Sequence, residues 1–505
     1  MNDISNLLCR NQAMIDMKKF ILPCVLTIIS ASIVSCSMAE DGVSSFPGNY
    51  TSDGNTEIDG NSGDNFKEIK ENDFVEASTQ PTSTFSVDAD GATYAYMRAC
   101  IKRSCVPDPR AVRIEEYLNY FTFDYAEPEG EESVAINAEL GACPWNKTHK
   151  LLRLGLKGKS MKDSEIPDAN FIFLIDVSGS MMGEDRLDLV KTGLCTMVDY
   201  MKPSDRIAII TYSGDVKKVL ESTLVKDAAG IKNAIKSLSA SGYTSGGAAM
   251  KMAYEEATEH YMKGGNNRII MCTDGDFNVG VSSTEALVEM VESYLDKGIY
   301  LSLMGFGMGN FQDSRMEEVS NHGNGTYNYI DSEEEMMKVF VGERSRFYSV
   351  ANDTKCQVSF DPAAVGKYRL IGYENRVMNN EDFENDKKDA GEIGAGQTIT
   401  ALYEIIPAEG YVADALLCSF DVRYKKALGE DSRNLGLKLK VPAEDSDSEN
   451  IRFASGVAAY GLCLRKSEYK GEASLDMAAE IIGSARDFDP NGLRKQLCAL
   501  IGKIK

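Results

Sequence analysis

The sequence predicts an α/β protein. Its centre is a doubly wound, Rossmann-like domain, a parallel sheet with helices on both faces, flanked by a β-rich unit and a helical C-terminal region. Three observations carry this expectation. Apolar runs of strand length alternate with helical apolar spacing across residues 167–346, the pattern of a parallel sheet. The flanking segments 84–166 and 347–445 carry shorter runs that alternate in strand fashion. The chain has 505 residues, 43% of them hydrophobic and 26% charged, enough for several cores and a solvated exterior.

In chain order, residues 1–36 read as an address rather than a domain. Lys18 and Lys19 precede an apolar run from Phe20 to Val34. About 15 apolar residues suit a signal-peptide core, whereas a membrane span needs about 20. The run closes on Ile33-Val34-Ser35-Cys36. This resembles a bacterial lipobox, whose Cys is lipidated and becomes the mature N-terminus. The polar residues before Lys18 leave Met14 and Met17 as alternative starts. No later run is long enough to span a bilayer, so the chain is expected to be anchored to a membrane, not threaded through it. Ser37 after Cys36 by resemblance favours the bacterial outer membrane, with the periplasmic and surface sides both open. Residues 37–83, rich in Gly, Ser, Asn, Asp and Thr, are expected to form a disordered tether.

Segment 84–166 carries a helix around ATYAYMRACIK, a break at Pro107 and Pro109, and a second helix around RIEEYLNYF. Strands follow through ESVAINAEL and KLLRLGLKG. In the central segment, FIFLIDV, DRIAIITY, NRIIMCT, IYLSLMGFG and GTYNYID are strands. RLDLVKTGLCTMVDYM, IKNAIKSL, GGAAMKMAYEEATEHYM, TEALVEMVESYLDKG, SRMEEVSNHG and SEEEMMKVFVGER are helices, with Gly323 expected as a C-cap. Segment 347–445 reads as strands around an acidic loop, residues 379–396, taken as solvated charge. Residues 446–505 end in helical pieces around FASGVAAYGLCLRKSEYKG and LDMAAEIIGSARDF.

Composition narrows the function. Lys and Arg number 54 against 77 Asp and Glu, a net charge of −23. A protein that tracks nucleic acid neutralises phosphates with a basic surface, so none is expected as a partner. Three His in the chain argue against His-rich metal sites. Of the twelve Cys, Cys9 and Cys24 go with the signal segment and Cys36 takes lipid. Nine remain, an odd number, so at least one thiol has no internal partner. Cys195 and Cys272 occupy apolar positions and are expected to be buried thiols. A bridge involving Cys100, Cys105 or Cys143 stays open. Trp145, the single Trp, is expected to pack at a domain boundary.

Open α/β sheets bind ligands at the carboxyl ends of their strands. One strand here ends in Asp176-Val177-Ser178-Gly179-Ser180, and another in Thr273-Asp274-Gly275. The loop Gly242-Tyr243-Thr244-Ser245-Gly246-Gly247 precedes a helix. Asp176, Asp274, Ser178, Ser180 and Thr244 are all oxygen donors, which suits a hard cation such as Mg²⁺. FIFLIDVSGSM, GYTSGGAAM and IIMCTDG together resemble the metal-ion-dependent adhesion site of the von Willebrand factor type A domain. That resemblance implies Ser178 and Ser180 as direct ligands. Thr244 joins them in the high-affinity arrangement, and Asp176 and Asp274 hold the metal mostly through water. Mg²⁺ is the expected ion, with Mn²⁺ and Ca²⁺ as alternatives. Two Asp balance its charge, and its open position would accept an Asp or Glu carboxylate of a protein partner. Tyr243 is a candidate partner contact.

RIEEYLNYF, CPWN, YRLIGYENR and DAGEIGAG resemble bacterial lipoproteins in which this domain lies between a dedicated N-terminal segment and a C-terminal partner domain. Such proteins are often labelled calcium-activated chloride channel homologues; the lack of a predicted span speaks against a channel. By analogy, the strands on both sides of the centre would form one β unit with a helical cap.

The expected function is non-enzymatic: a lipid-anchored cell-envelope protein that binds a protein partner, with no small-molecule substrate. One alternative is a scaffold whose metal stabilises the site loops. Another is a metal-dependent hydrolase, which needs a general base within reach of an activated water. Asp276 is the only nearby extra carboxylate, and a turn explains it. Gly305-Phe306-Gly307-Met308-Gly309 lacks the spacing of a nucleotide loop and reads as a strand-end loop.

Overall fold

The computed structural model describes residues 64–242, 247–275, 284–309 and 312–503. Strand β1 (Ala169–Asp176) is apolar along most of its length and buried at every position. It lies between β2 (Arg206–Tyr212) and β4 (Asn266–Thr273), parallel to both, with Ile172 opposite Ala208 and Ile269. Strand β3 (Val216–Leu224) runs antiparallel on the outside of β2. Strands β5 (Ile299–Phe306) and β6 (Tyr327–Ile330) extend the parallel set beyond β4. The order is β6-β5-β4-β1-β2-β3.

Side chains alternate between two cores, as a twice-covered sheet requires. Ile172, Leu174, Ile269 and Leu301 join one core with α3 (Gly247–Glu259), α4 (Thr284–Glu292) and α5 (Asp313–Asn321). Phe171, Phe173, Ile175 and Ile270 join the other with α1 (Leu187–Tyr200), α2 (Ala228–Lys236) and α6 (Glu333–Met337). Helix α2 starts where Asp227 accepts from the Gly230 N–H, and α6 where Ser332 accepts from the Glu335 N–H. Gly323 does not cap α5. His322 is the cap, and the left-handed residue is Asn324 at φ 47°. A Cβ at Gly323 would instead meet the Leu301 Cβ at 2.8 Å, so close packing is what its lack of a side chain serves.

The flanking strands interleave. One antiparallel sheet runs Val75–Glu76, Val365–Ile371, Thr398–Pro407, Lys150–Gly158, Val134–Ala142. The other runs Val377–Met378, Thr82–Ser86, Ser349–Phe360, Leu416–Lys425, Arg433–Lys440. Both sheets hold strands from before and after the central segment, and both line one core through Leu152, Leu154, Tyr403, Phe420 and Val422. The two β segments, expected at 84–166 and 347–445, are therefore one sandwich. The stretch expected to be a tether through residue 83 packs from its described start: Phe66 is buried in the central core and Ala77 in the sandwich.

A fourth core is helical. Helices Ala92–Lys102 and Ile114–Asn119 pack with Glu449–Arg465, Leu475–Gly483 and Leu493–Ile501, and Trp145 is buried among them. Helix Ala92–Lys102 is buried from Ala92 to Ile101. It gives Tyr96 to the central core and Tyr94 to the helical one. Among the described residues, no helix is long and apolar enough to cross a membrane.

Candidate metal centre

Asp176 is the last residue of β1, and the chain must turn there. Its Oδ1 accepts from the Ser178 N–H at 2.8 Å, while Thr273 Oγ1 reaches its Oδ2 at 3.5 Å. The first contact is the local turn that Asp favours. A short 3₁₀ turn, Gly179–Met181, follows. It brings Ser178 Oγ and Ser180 Oγ to 2.9 Å from one another. The Gly179 N–H donates to Gly242 O at 3.0 Å, and the Ser241 N–H to Val177 O at 2.7 Å. These bonds fasten the approach to residues 243–246 beside the Asp-Ser turn.

Asp274 follows β4, the strand next to β1. The Arg186 Nε stands 3.9 Å from its Oδ2, and the Arg186 Nη2 donates to Met308 O at 2.9 Å. Asp176 is 0% exposed, Ser178 and Asp274 2%, whereas Ser180 is exposed. Tyr212 is buried beside this group. Burial first, and then the Asp176 carboxylate, push its phenol well up. Two buried carboxylates and two hydroxyls at adjacent strand ends offer only oxygen, which fits a hard divalent cation. Thr244, Tyr243, Asp276 and Cys36 lie outside the described residues.

Sequence reasoning did not find Arg186, whose position ahead of α1 carries no signal of its neighbour. It also missed a buried charge junction between the N-terminal helices and the central domain. Arg98 meets Asp331 at 2.5 Å and Glu335 at 2.7 Å. Arg113 meets Glu116 at 2.9 Å, Asp313 at 2.6 Å, and Glu317. Burial opposes ionisation of Glu335, but Lys338 and Arg98 overcome it and hold its carboxyl down at about 2. The acidic loop is solvated as expected, with residues 384–389 exposed, and within it Asp389 and Glu392 gather with Asp353, their carboxylate oxygens within 4.8 Å of one another. Among the described residues the three His sit beside separate glutamates, His149 by Glu404, His260 by Glu256 and His322 by Glu292. Cys272 is buried as expected, while Cys195 is only half-buried.

Comparison with known proteins agrees with this architecture. Residues 170–342 match the von Willebrand factor type A domain. Residues 60–153 match a family described as von Willebrand factor, and 345–505 one described as Uncharacterized protein YfbK, C-terminal. The chain is 37% identical over 462 residues to the Escherichia coli (strain K12) protein YfbK, covering 86% of this chain and 80% of that one. It is 30% identical over 176 residues to the inter-alpha-trypsin inhibitor heavy chain H3 of Pongo abelii, but spans only 20% of it. A solved von Willebrand factor type A protein from Catenulispora acidiphila is 15% identical, covers 75% of this chain and 91% of its own, and superposes with a TM-score of 0.42. Domains of this type mediate protein–protein interaction and commonly bind a divalent metal.

Proposed function

The chain belongs to the family of Escherichia coli YfbK, built around a von Willebrand factor type A domain, and from that premise we propose that it captures a protein partner through a bound Mg²⁺. Ser178, Ser180 and Thr244 hold the ion directly, and Asp176 and Asp274 hold it through water. The ion supplies an electrophilic position that a partner Asp or Glu completes by a charge-assisted bond. The observation that carries this reading is the convergence of Asp176, Ser178 and Ser180, with the two hydroxyl oxygens 2.9 Å apart. The chain's own part is to keep those oxygens turned to one spot: Asp176 fixes the Ser178 amide, and Gly242 O fixes the Gly179 amide. The activity is binding, not turnover. The protein works from the cell envelope, held at the bacterial outer membrane by lipid on Cys36, and Tyr243 contacts the partner.

The test is a crosslinking pull-down from membranes, with and without chelator, comparing wild type with Asp176→Ala. Capture should need both the metal and Asp176. Capture that survives chelation and the substitution, with Mg²⁺ binding intact, would overturn the reading. If metal loss lowers the melting temperature but leaves capture intact, the ion only stabilises the loops.

A further inference from the structure

Helix Ala92–Lys102 ends in a complete Schellman turn. Ser104 takes the left-handed conformation at φ 61°. Its N–H donates to Ile101 O at 3.0 Å, and the Cys105 N–H donates to Cys100 O at 3.0 Å. These are the two nested bonds that define the motif, and they place the side chains of its first and last residues against each other. That contact is normally apolar. Here both positions are cysteine. The Cys105 Sγ donates to the Cys100 carbonyl oxygen at 3.0 Å.

We propose that Cys100 and Cys105 are a disulfide pair, which closes when the reduced protein meets a disulfide oxidant. A bridge needs two Cα atoms held close with their side chains facing. The turn supplies both before any sulfur reacts, because its backbone bonds already join the same two residues. Cys105 is exposed and Cys100 is buried. Burial, and then the neighbouring Cys105, push the Cys100 thiol up, so Cys105 reacts first. Its thiolate attacks one sulfur of the oxidant RS–SR, forming Cys105–S–SR and releasing RS⁻. Cys100 then loses its proton and attacks the Cys105 sulfur, expelling the second RS⁻. Both protons leave with the released thiolates as two RSH. The protein loses two electrons and two protons.

The bridge acts on a turn that already holds the central domain. Lys102 pairs with Asp331 at 3.1 Å, and Arg103 with Asp185 at 2.6 Å, one residue from Arg186. Cys100 itself packs in the central core with Tyr96 and Tyr329. Oxidation therefore staples the end of the helix shared by two cores.

The test treats the intact reduced chain with oxidised glutathione and digests it with trypsin without reductant. One linked species is expected, joining peptide Ala99–Lys102 to Ser104–Arg110 and splitting on reduction. The protein mass should fall by about two hydrogen masses, with two fewer thiols free to alkylate under denaturing conditions. Cys105→Ser should abolish the species. Cys100→Ser should trap a glutathione adduct on Cys105. The wild-type melting temperature should rise on oxidation, while that of Cys105→Ser should not. A glutathione adduct that persists on wild-type Cys105, two thiols that stay alkylatable, or Cys105 bridged to another cysteine or a second chain would each overturn the proposal.

Discussion

Two sets of buried carboxylates in this molecule are met in different ways. At the junction of the N-terminal helices and the central domain, Asp331, Glu335 and Asp313 each face a guanidinium within 2.5–2.7 Å. At the strand ends, Asp176 and Asp274 meet a backbone amide, a hydroxyl and one guanidinium at 3.9 Å. Paired guanidiniums settle the charge inside the fold. Hydroxyls add donors without charge and suit a small cation brought from outside. The first set joins parts of the chain, and we read the second as poised for a ligand.

The largest effect should come from breaking the settled set. Arg98→Met leaves Asp331 and Glu335 buried without their guanidinium and should cost about 3–5 kcal/mol. Denaturant unfolding would show the same loss with and without Mg²⁺. At the strand ends the dependence should reverse. Mg²⁺ at 100 times its dissociation constant should stabilise the wild type by about 2.7 kcal/mol and Asp176→Ala by nothing. An equal gain in both would erase the distinction between the two sets.

Glu115, buried outside that junction beside Glu374 and Arg465, adds a test by pH. Burial first, and then Glu374, push its carboxyl up to about 8 against the pull of Arg465. The folded protein thus holds that proton more tightly than the unfolded chain. The stability it contributes is full below the ordinary carboxyl range and is lost as pH rises towards 8. Glu115→Gln should flatten this fall by up to about 4 kcal/mol, read from unfolding at pH 5 and pH 9. Ser180→Ala should have the smallest effect on stability. The residue is exposed, so metal-free stability should stay within about 0.5 kcal/mol, while calorimetry shows weaker Mg²⁺ binding.

How much of this was legible in the sequence depended on distance along the chain. FIFLIDVSGSM shows both a strand and the Asp-Ser turn that follows it, because the turn after β1 is local. The edge strand β3 was missed. VKKVLESTL is mostly exposed or half-buried, and lysines at an edge guard it against further pairing rather than mark a core. The third C-terminal helix, Leu493–Ile501, was likewise not singled out. The sandwich could be inferred only by analogy, since Thr82–Ser86 pairs with Ser349–Phe360 across the whole central domain. Arg98 and Arg113 looked like ordinary helix-region residues because their partners in the central domain come 200 or more positions later. The Cys100–Cys105 spacing was visible, but not the turn that makes it meaningful.

The interleaved sandwich also sets an order of events for the chain as it is made. Strand Lys150–Gly158 must wait for Thr398–Pro407; Lys157 and Gly396, bonded through the lysine Nζ, stand 239 positions apart. The strands of the central domain lie much closer together along the chain and can close on one another first. Once folded, that domain keeps the waiting strands near their partners: the Gly396 N–H bonds Lys159 O and the Ala395 N–H bonds Tyr348 O, next to where the chain enters and leaves it. The domain thus acts as its own loop-shortening device, converting a very long-range closure into a short one. Until it has formed, the leading strands present open edges, the state most exposed to misassembly in a protein of this size.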